Sequence, residues 1–181
     1  MSRHLTLILG GTRSGKSGHA LAVTREIAGS GRAWFLATAL PGDPELDRRI
    51  ARHRSQRPTD WPTVEVGTDL AGAIASAEPS EPVLLEGLTL WLSLLVGDEP
   101  ADPDPILDGP LADALGAIAA RPGPVVVVSD EIGLGLVPMH AGARAFRDLV
   151  GLAHQRIGAE ADAVDFVVAG QALRVKGLAE R

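Results

Sequence analysis

A glycine-rich segment near the start of the chain has residue types and a spacing that suit phosphate binding. Residues 10–17 read GGTRSGKS and match the P-loop pattern G-x-x-x-x-G-K-[ST]. Gly10 and Gly15 allow backbone conformations closed to other residues, so successive N–H groups can point at one phosphate beside the start of a helix. Lys16 can reach the β- and γ-phosphates, and the Ser17 hydroxyl can bind Mg²⁺. The segment therefore predicts a nucleoside triphosphate site with Mg²⁺.

A carboxylate partner for Mg²⁺ is expected at the end of an apolar strand. Two positions compete for this role: Glu86 ends the run at 83–85, and Asp130 with Glu131 ends the run at 125–129. Either position can instead be an exposed charge at a strand end. The residues alone leave this choice open.

Five arginines and one histidine, His53, fall within residues 48–57. On a helix, Leu46, Ile50 and His53 share one face, so the histidine can simply end the apolar stripe of a surface helix. The functional alternative is a clamp in which arginines neutralise a polyphosphate and the neutral imidazole of His53 attacks phosphorus, holding a nucleotidyl group covalently. Both interpretations remain open at this point.

Short apolar runs alternate with amphipathic stretches, and these elements must position the motifs. Strands are predicted at 4–9, 33–37, 83–86, 125–129 and 164–169, and helices at about 15–28, 45–55, 69–77, 88–95, 111–120 and 144–160. Continuous apolar strands separated by helices indicate an α/β doubly wound domain, with a mostly parallel sheet covered by helices on both faces. A short hairpin strand is predicted at 171–176. Residues 97–110, with four prolines and four aspartates, are predicted to form an exposed loop.

Composition narrows the possible functions further. The chain has 181 residues, the size of a single domain, and its net charge of −6 disfavours general nucleic-acid binding. No apolar run approaches the ~20 residues of a membrane span, and no signal-peptide pattern is present, so a cytoplasmic protein is expected. Cysteine is absent, which excludes thiol catalysis. Neither lysine is followed two residues later by aspartate, as the guanine-reading motif of Ras-like GTPases requires.

Six segments, taken in order, carry a family resemblance over nearly the whole chain. They are GGTRSGKS at 10–17, ATA at 37–39, RIARHRSQRP at 49–58, LLEGLTLWLS at 84–93, VSDEIGLGLVP at 128–138 and ARAFRDLVGLAHQR at 143–156. Together they resemble the bifunctional adenosylcobinamide kinase / adenosylcobinamide-phosphate guanylyltransferases of cobalamin biosynthesis. The resemblance implies a RecA-like P-loop fold and a homo-oligomer, a trimer. It also implies small-molecule substrates: ATP or GTP with Mg²⁺, adenosylcobinamide and adenosylcobinamide phosphate.

The resemblance implies two successive reactions. A γ-phosphoryl group passes to the aminopropanol hydroxyl of adenosylcobinamide, and GMP from GTP then passes through His53 to that phosphate. His53 and Lys16 are the expected catalytic residues, and the Lys16 ammonium stabilises charge on the leaving phosphate oxygens. Ser17 and Glu86 are expected to bind the metal. The implied nucleotide contacts are Gly10, Gly11, Thr12, Arg13, Ser14, Gly15, Lys16, Ser17, Ala37, Thr38, Ala39, Arg54, Ser55, Gln56, Arg57, Glu65 and Glu86.

The chain departs from the family pattern at several positions. Family members commonly carry asparagine where Asp130 and His154 stand, asparagine near Leu94, and cysteine at Gly87. Asparagine to aspartate exchanges an amide donor for a charge, which alters any contact to phosphate at position 130. Two other classes compete with the bifunctional enzyme: a plain small-molecule P-loop kinase with a structural His53, and a non-enzymatic RecA-like module whose nucleotide controls assembly.

Overall fold

Seven strands form one sheet in the part of the chain that the computed structural model describes, residues 5–38, 59–97 and 102–177. They are β1 (Leu5–Gly10), β2 (Trp34–Ala37), β3 (Thr63–Glu65), β4 (Val83–Glu86), β5 (Val125–Asp130), β6 (Ala163–Val168) and β7 (Gln171–Lys176). The strand order is β3-β2-β4-β5-β1-β6-β7. All pairings are parallel except that of β7 with β6. The predicted hairpin strand at 171–176 is confirmed.

Helices cover both faces of this sheet, as the sequence predicts. They are α1 (Lys16–Ala28), α2 (Leu70–Ser76), α3 (Leu88–Val96), α4 (Asp104–Ile106), α5 (Ala112–Ala120) and α6 (Ala141–Glu160). Alternate strand residues point to opposite faces. Ile8 and Val126 pack on the side of α1, whereas Leu7 and Val127 pack on the side of α2, α3, α5 and α6. A membrane span would require a longer run of apolar helix than any found in the described residues.

The prediction of an exposed loop at 97–110 is wrong over residues 104–110. Helix α4 continues through a π-helical turn, Leu107–Leu111, directly into α5. Ile106 and Leu107 are buried in the main core, which offsets the entropic cost of ordering this segment. Pro105 lies in the first helical turn, where no intrahelical N–H bond is lost, whereas Pro110 lies inside the helix, at the π-helical turn, where the regular α-helical bonding is already interrupted. The helix predicted at 45–55 lies outside the described residues.

Candidate functional site

The carboxyl ends of the parallel strands bring the sequence motifs to one edge of the sheet. Gly10 at the end of β1 lies opposite Asp130 at the end of β5. Ala37 at the end of β2 lies opposite Glu65 on one side and Glu86 on the other. Ligands of open α/β sheets bind at this edge. The described residues that the sequence predicts for the site therefore lie at one edge of the sheet.

The P-loop follows β1 and packs against the turn between β6 and β7. Gly15 has φ +98°, and a Cβ atom there would lie 3.1 Å from Cα of Gly170. The Gly170 N–H donates to the carbonyl of Ser14 at 2.8 Å, which fixes this close approach. Arg13 also adopts a positive φ of 59°, at the exposed tip of the loop. The left-handed conformations turn the loop sharply into α1.

Lys16 is the first residue of α1, and its side chain folds back over the P-loop. The Nζ atom donates to the carbonyl of Gly11 at 3.3 Å and lies 2.6 Å from Oδ1 of Asp130. The lysine side chain is 13% exposed and the aspartate side chain 36% exposed, so the ion pair is open to solvent on one side. A cation at the start of a helix, beside unpaired helical N–H groups, suits a polyphosphate.

Ser17 and Glu86 meet across α1 and β4. The Ser17 hydroxyl donates to Oε1 of Glu86 at 2.5 Å. A hydroxyl and a carboxylate this close are oxygen ligands of the kind that Mg²⁺ prefers. Of the two positions that the sequence leaves open, Glu86 contacts the P-loop serine, whereas the Asp130 carboxylate pairs with Lys16. Among the described residues, no group of three or more His, Asp or Glu side chains could hold a metal ion.

The other predicted nucleotide contacts divide into supporting, exposed and undescribed residues. Thr38 is buried, and its hydroxyl donates to the carbonyl of Gly87 at 2.6 Å, so this side chain supports the turn after β4. Gly87 has φ +97°, and a Cβ atom there would lie 2.5 Å from the Thr38 hydroxyl. Glu65 is exposed at the end of β3. Ala39, His53, Arg54, Ser55, Gln56 and Arg57 lie outside the described residues.

A buried row of polar side chains behind the site was not predicted from the sequence. His154 Nε2 of α6 lies 2.7 Å from Oγ of Ser129, which lies 2.8 Å from Oγ1 of Thr89 on α3. Thr89 Oγ1 in turn accepts the backbone N–H of Asp130 at 2.9 Å. The row therefore anchors the strand end whose carboxylate pairs with Lys16. The one available signal was the departure from the family pattern at both Asp130 and His154.

Burial keeps the imidazole of this row neutral. It lowers the pKa of His154 below the ordinary 6.5, and the negative charges of Glu131 and Asp130 offset part of this effect. Nδ1 of His154 lies 3.7 Å from Oε2 of Glu131. With the proton on Nδ1, the three hydrogen bonds point the same way. The Asp130 N–H donates to the Thr89 hydroxyl, that hydroxyl donates to Ser129 Oγ, and the Ser129 hydroxyl donates to Nε2 of His154.

Two solved structures share the fold. One is an ATPase domain, which aligns with a TM-score of 0.53 and 14% identity, covering 91% of this chain and 69% of that chain. The other is the flagellar accessory protein FlaH from Methanocaldococcus jannaschii, which aligns with a TM-score of 0.51 and 10% identity, covering 96% and 78% respectively. These likenesses confirm the predicted RecA-like P-loop fold.

Comparison with protein families and curated relatives gives the identity of the chain. It is 43% identical to the bifunctional adenosylcobalamin biosynthesis protein CobP of Pseudomonas aeruginosa, covering 94% of this chain and 96% of that protein. It is 36% identical to the bifunctional adenosylcobalamin biosynthesis protein CobU of Escherichia coli, covering 95% and 99%. Residues 6–175 match the model of one family, described as cobinamide kinase / cobinamide phosphate guanyltransferase. The chain therefore belongs to the cobinamide kinase / cobinamide phosphate guanyltransferase family and is a bifunctional enzyme of that type.

Proposed function

We propose that the P-loop edge of the sheet binds ATP or GTP for the kinase step and GTP for the guanylyl step, and that His53 carries GMP from GTP to the acceptor phosphate. The carrying observation is the convergence of Lys16 Nζ, Ser17 Oγ and the Glu86 carboxylate at the start of α1. In the first reaction the acceptor is the hydroxyl of adenosylcobinamide, and in the second it is the phosphate so formed. The products are adenosylcobinamide phosphate and adenosylcobinamide-GDP.

In the kinase step, the N–H groups of residues 11–17 and the Lys16 ammonium neutralise the β- and γ-phosphates. Lys16 must leave Asp130 to do so. Ser17 and Glu86 are oxygen ligands that fit a hard cation, and Mg²⁺ held by them would supply positive charge against the charge that develops on the phosphate. A site with two protein ligands suits this ion, because Mg²⁺ keeps water and substrate phosphates in its other positions.

The guanylyl step uses a different phosphorus atom. His53 must lie in line with the α-phosphorus, with pyrophosphate as the leaving group, while the P-loop cradles the β- and γ-phosphates. One bound pose cannot easily present the γ-phosphorus to the acceptor hydroxyl and the α-phosphorus to His53. We therefore expect the segment that carries His53, or the nucleotide, to move between the two half-reactions, and Arg54 and Arg57 to neutralise the leaving pyrophosphate. Identical nucleotide poses in the kinase-competent and guanylylated states would contradict this movement.

We further propose that the enzyme is a trimer in the cytoplasm. It acts on small molecules and not on nucleic acid. The net charge of −6 argues against nucleic-acid binding, and the family resemblance supports the trimer and the small-molecule substrates. Sedimentation equilibrium of the purified chain, with and without nucleotide, measures the assembly state directly. A monomer at micromolar concentration would contradict the trimer.

The deciding experiment is the intact mass of the protein after incubation with GTP and Mg²⁺. The wild type and a His140→Ala control should each gain one GMP, whereas His53→Ala should gain none. The adduct should be lost in mild acid, because a phosphorus–nitrogen bond to imidazole is acid-labile. No adduct on the wild type, with phosphorylation of adenosylcobinamide intact, would leave a simple kinase.

A further inference from the structure

An exposed apolar loop borders the P-loop. Residues 133–139, here named the apolar loop, follow the end of β5. Four of its side chains lie largely in solvent: Leu134 is 80% exposed, Leu136 96%, Val137 69% and Met139 90%. Single exposed apolar residues are ordinary, but four within six positions give one loop an unusually apolar surface, and exposed apolar surface of this kind marks binding sites.

The backbone of the apolar loop is held in place by the start of α6. Arg144 donates to the carbonyls of Pro138 and Met139 at 3.0 and 2.7 Å. Arg147 donates to the carbonyl of Leu136 at 3.2 Å. Ile132, just before the loop, packs against the main core. The apolar side chains are therefore presented to solvent by an anchored backbone, which reduces the entropy that a ligand must overcome on binding.

A cleft of about 310 Å³ joins the apolar loop to the P-loop. Its lining residues are Gly11, Thr12, Arg13, Ser14, Glu131, Leu134, Phe166, Val167, Val168 and Ala169. One wall is thus largely apolar and the other is the outer side of the P-loop. Arg13, on the P-loop side, makes no hydrogen bond or ion pair with another described residue. The cleft therefore combines apolar surface with one available cation.

The cleft lies on the side of the P-loop where an acceptor has to enter. Lys16 Nζ lies within reach of both the Gly11 carbonyl and the Asp130 carboxylate. Because this lysine contacts the terminal phosphates, the γ-phosphoryl group is expected between Gly11 and the end of β5. Gly11 and Glu131 both line the cleft. An acceptor oxygen must come within about 3–3.5 Å of the transferred phosphorus, and the cleft leads there.

We propose that this cleft and the apolar loop bind the acceptor substrate. The acceptor of this family is a macrocycle with a hydroxyl, later a phosphate, on a flexible arm. The arm enters the cleft, an apolar face of the ring lies against Leu134, Leu136 and Val137, and Arg13 neutralises the phosphate formed in the first reaction. The assignment rests on the proposed function only in that the P-loop holds the donor nucleotide.

The test compares two matched double variants in steady-state kinetics with adenosylcobinamide as the varied substrate. Leu134→Ser/Leu136→Ser removes apolar surface from the proposed site. Leu173→Ser/Val175→Ser removes two side chains on β7 that are 64% and 65% exposed. The first should raise KM for adenosylcobinamide about tenfold, and the second should leave it within about twofold. The KM for nucleotide should stay unchanged in both. Arg13→Gln should raise KM for adenosylcobinamide phosphate more than KM for adenosylcobinamide.

Three results would overturn the assignment. An unchanged KM for adenosylcobinamide in the loop variant would show that the loop does not contact the acceptor. A raised KM for nucleotide alone would place the donor in the cleft. A lower sedimentation mass of Leu134→Ser/Leu136→Ser than of the wild type would make the loop an interface between copies of the chain. Failure of the proposed function is a separate result, because GMP loading needs no acceptor. If loading fails, equilibrium dialysis of adenosylcobinamide against both variants still tests the cleft.

Discussion

Lys16 and Asp130 form an ion pair between the first helical residue after the P-loop and the end of β5, with Nζ and Oδ1 2.6 Å apart. The register of the sheet makes this contact possible, since Asp130 lies opposite Gly10. The same ammonium is the group that a triphosphate needs. Asp130 therefore stands in the position of the phosphate as counter-ion to Lys16, and nucleotide binding must replace one negative charge by another.

Asp130→Asn should strengthen nucleotide binding. The variant removes the competing counter-ion and the repulsion between the aspartate and the incoming phosphates. Partly exposed pairs of this kind contribute about 1 kcal/mol or less, so at ~1.4 kcal/mol per tenfold the Kd for GTP should fall by up to about fivefold. Isothermal titration calorimetry measures it, with Asp113→Asn on the exposed side of α5 as control. Weaker binding would instead assign the carboxylate a direct role at the metal or the phosphate.

Ser17→Ala and Glu86→Gln should each reduce the contribution of Mg²⁺ to nucleotide affinity. The Ser17 hydroxyl and the Glu86 carboxylate oxygen lie 2.5 Å apart. Both are oxygen ligands of the kind that Mg²⁺ prefers. Losing one ligand should cut the gain on adding Mg²⁺ about tenfold, while affinity in EDTA stays close to that of the wild type. Glu78→Gln, an exposed carboxylate far from the P-loop, serves as control. A full Mg²⁺ gain in Glu86→Gln would move the metal partner to another residue.

Local motifs and continuous apolar runs were readable from the sequence. The P-loop has a fixed spacing, and β1, β4 and β5 are buried on both faces, so their patterns need no tertiary information. Strand β3 escaped prediction because it has only three residues, none fully buried. The helical segment at 104–111 was hidden by its prolines, whose effect depends on their position within the helical turn.

Contacts between distant elements could not be predicted. Thr89, Ser129 and His154 come from α3, β5 and α6, and no spacing in the sequence links them. The choice between Glu86 and Asp130 as partner of Ser17 likewise depended on strand order. Because β5 lies between β1 and β4, both carboxylates reach the P-loop, and only their geometry separates an ion pair with Lys16 from a contact with Ser17.

The buried imidazole of His154 should make stability depend on pH. Its pKa in the folded protein is lowered by burial, with partial opposition from Glu131 and Asp130, so the unfolded chain binds more protons below pH 6.5. The contribution to the free energy of unfolding is therefore fully present above pH 6.5 and is lost as pH falls toward the lower, folded-state value. The loss cannot exceed about 1.4 kcal/mol per pH unit. Urea unfolding between pH 7.5 and 5 should show a steeper decline for the wild type than for His154→Gln. Parallel curves would mean that folding does not lower the pKa of His154.

Thr89→Val should destabilise the fold more than Thr89→Ser. The Thr89 hydroxyl accepts from Asp130 N–H at 2.9 Å and lies 2.8 Å from the fully buried Ser129 hydroxyl. Valine keeps the shape but leaves both groups without this partner, a loss of about 1–3 kcal/mol in the free energy of unfolding. Serine keeps the hydroxyl and loses only a methyl group, about 1 kcal/mol or less. Urea denaturation at pH 7.5 measures both changes.

The same pair of variants tests whether the buried row of Thr89, Ser129 and His154 affects nucleotide affinity. Asp130 N–H is fixed by Thr89, and the Asp130 carboxylate pairs with Lys16, so releasing the backbone in Thr89→Val should loosen that ion pair. A loosened pair competes less well with phosphate, and the Kd for GTP should fall toward that of Asp130→Asn. In the double variant Thr89→Val/Asp130→Asn the two effects should not add, because both act on one contact. Additive changes in Kd would show that Thr89 acts on the nucleotide site by a route that does not involve Asp130.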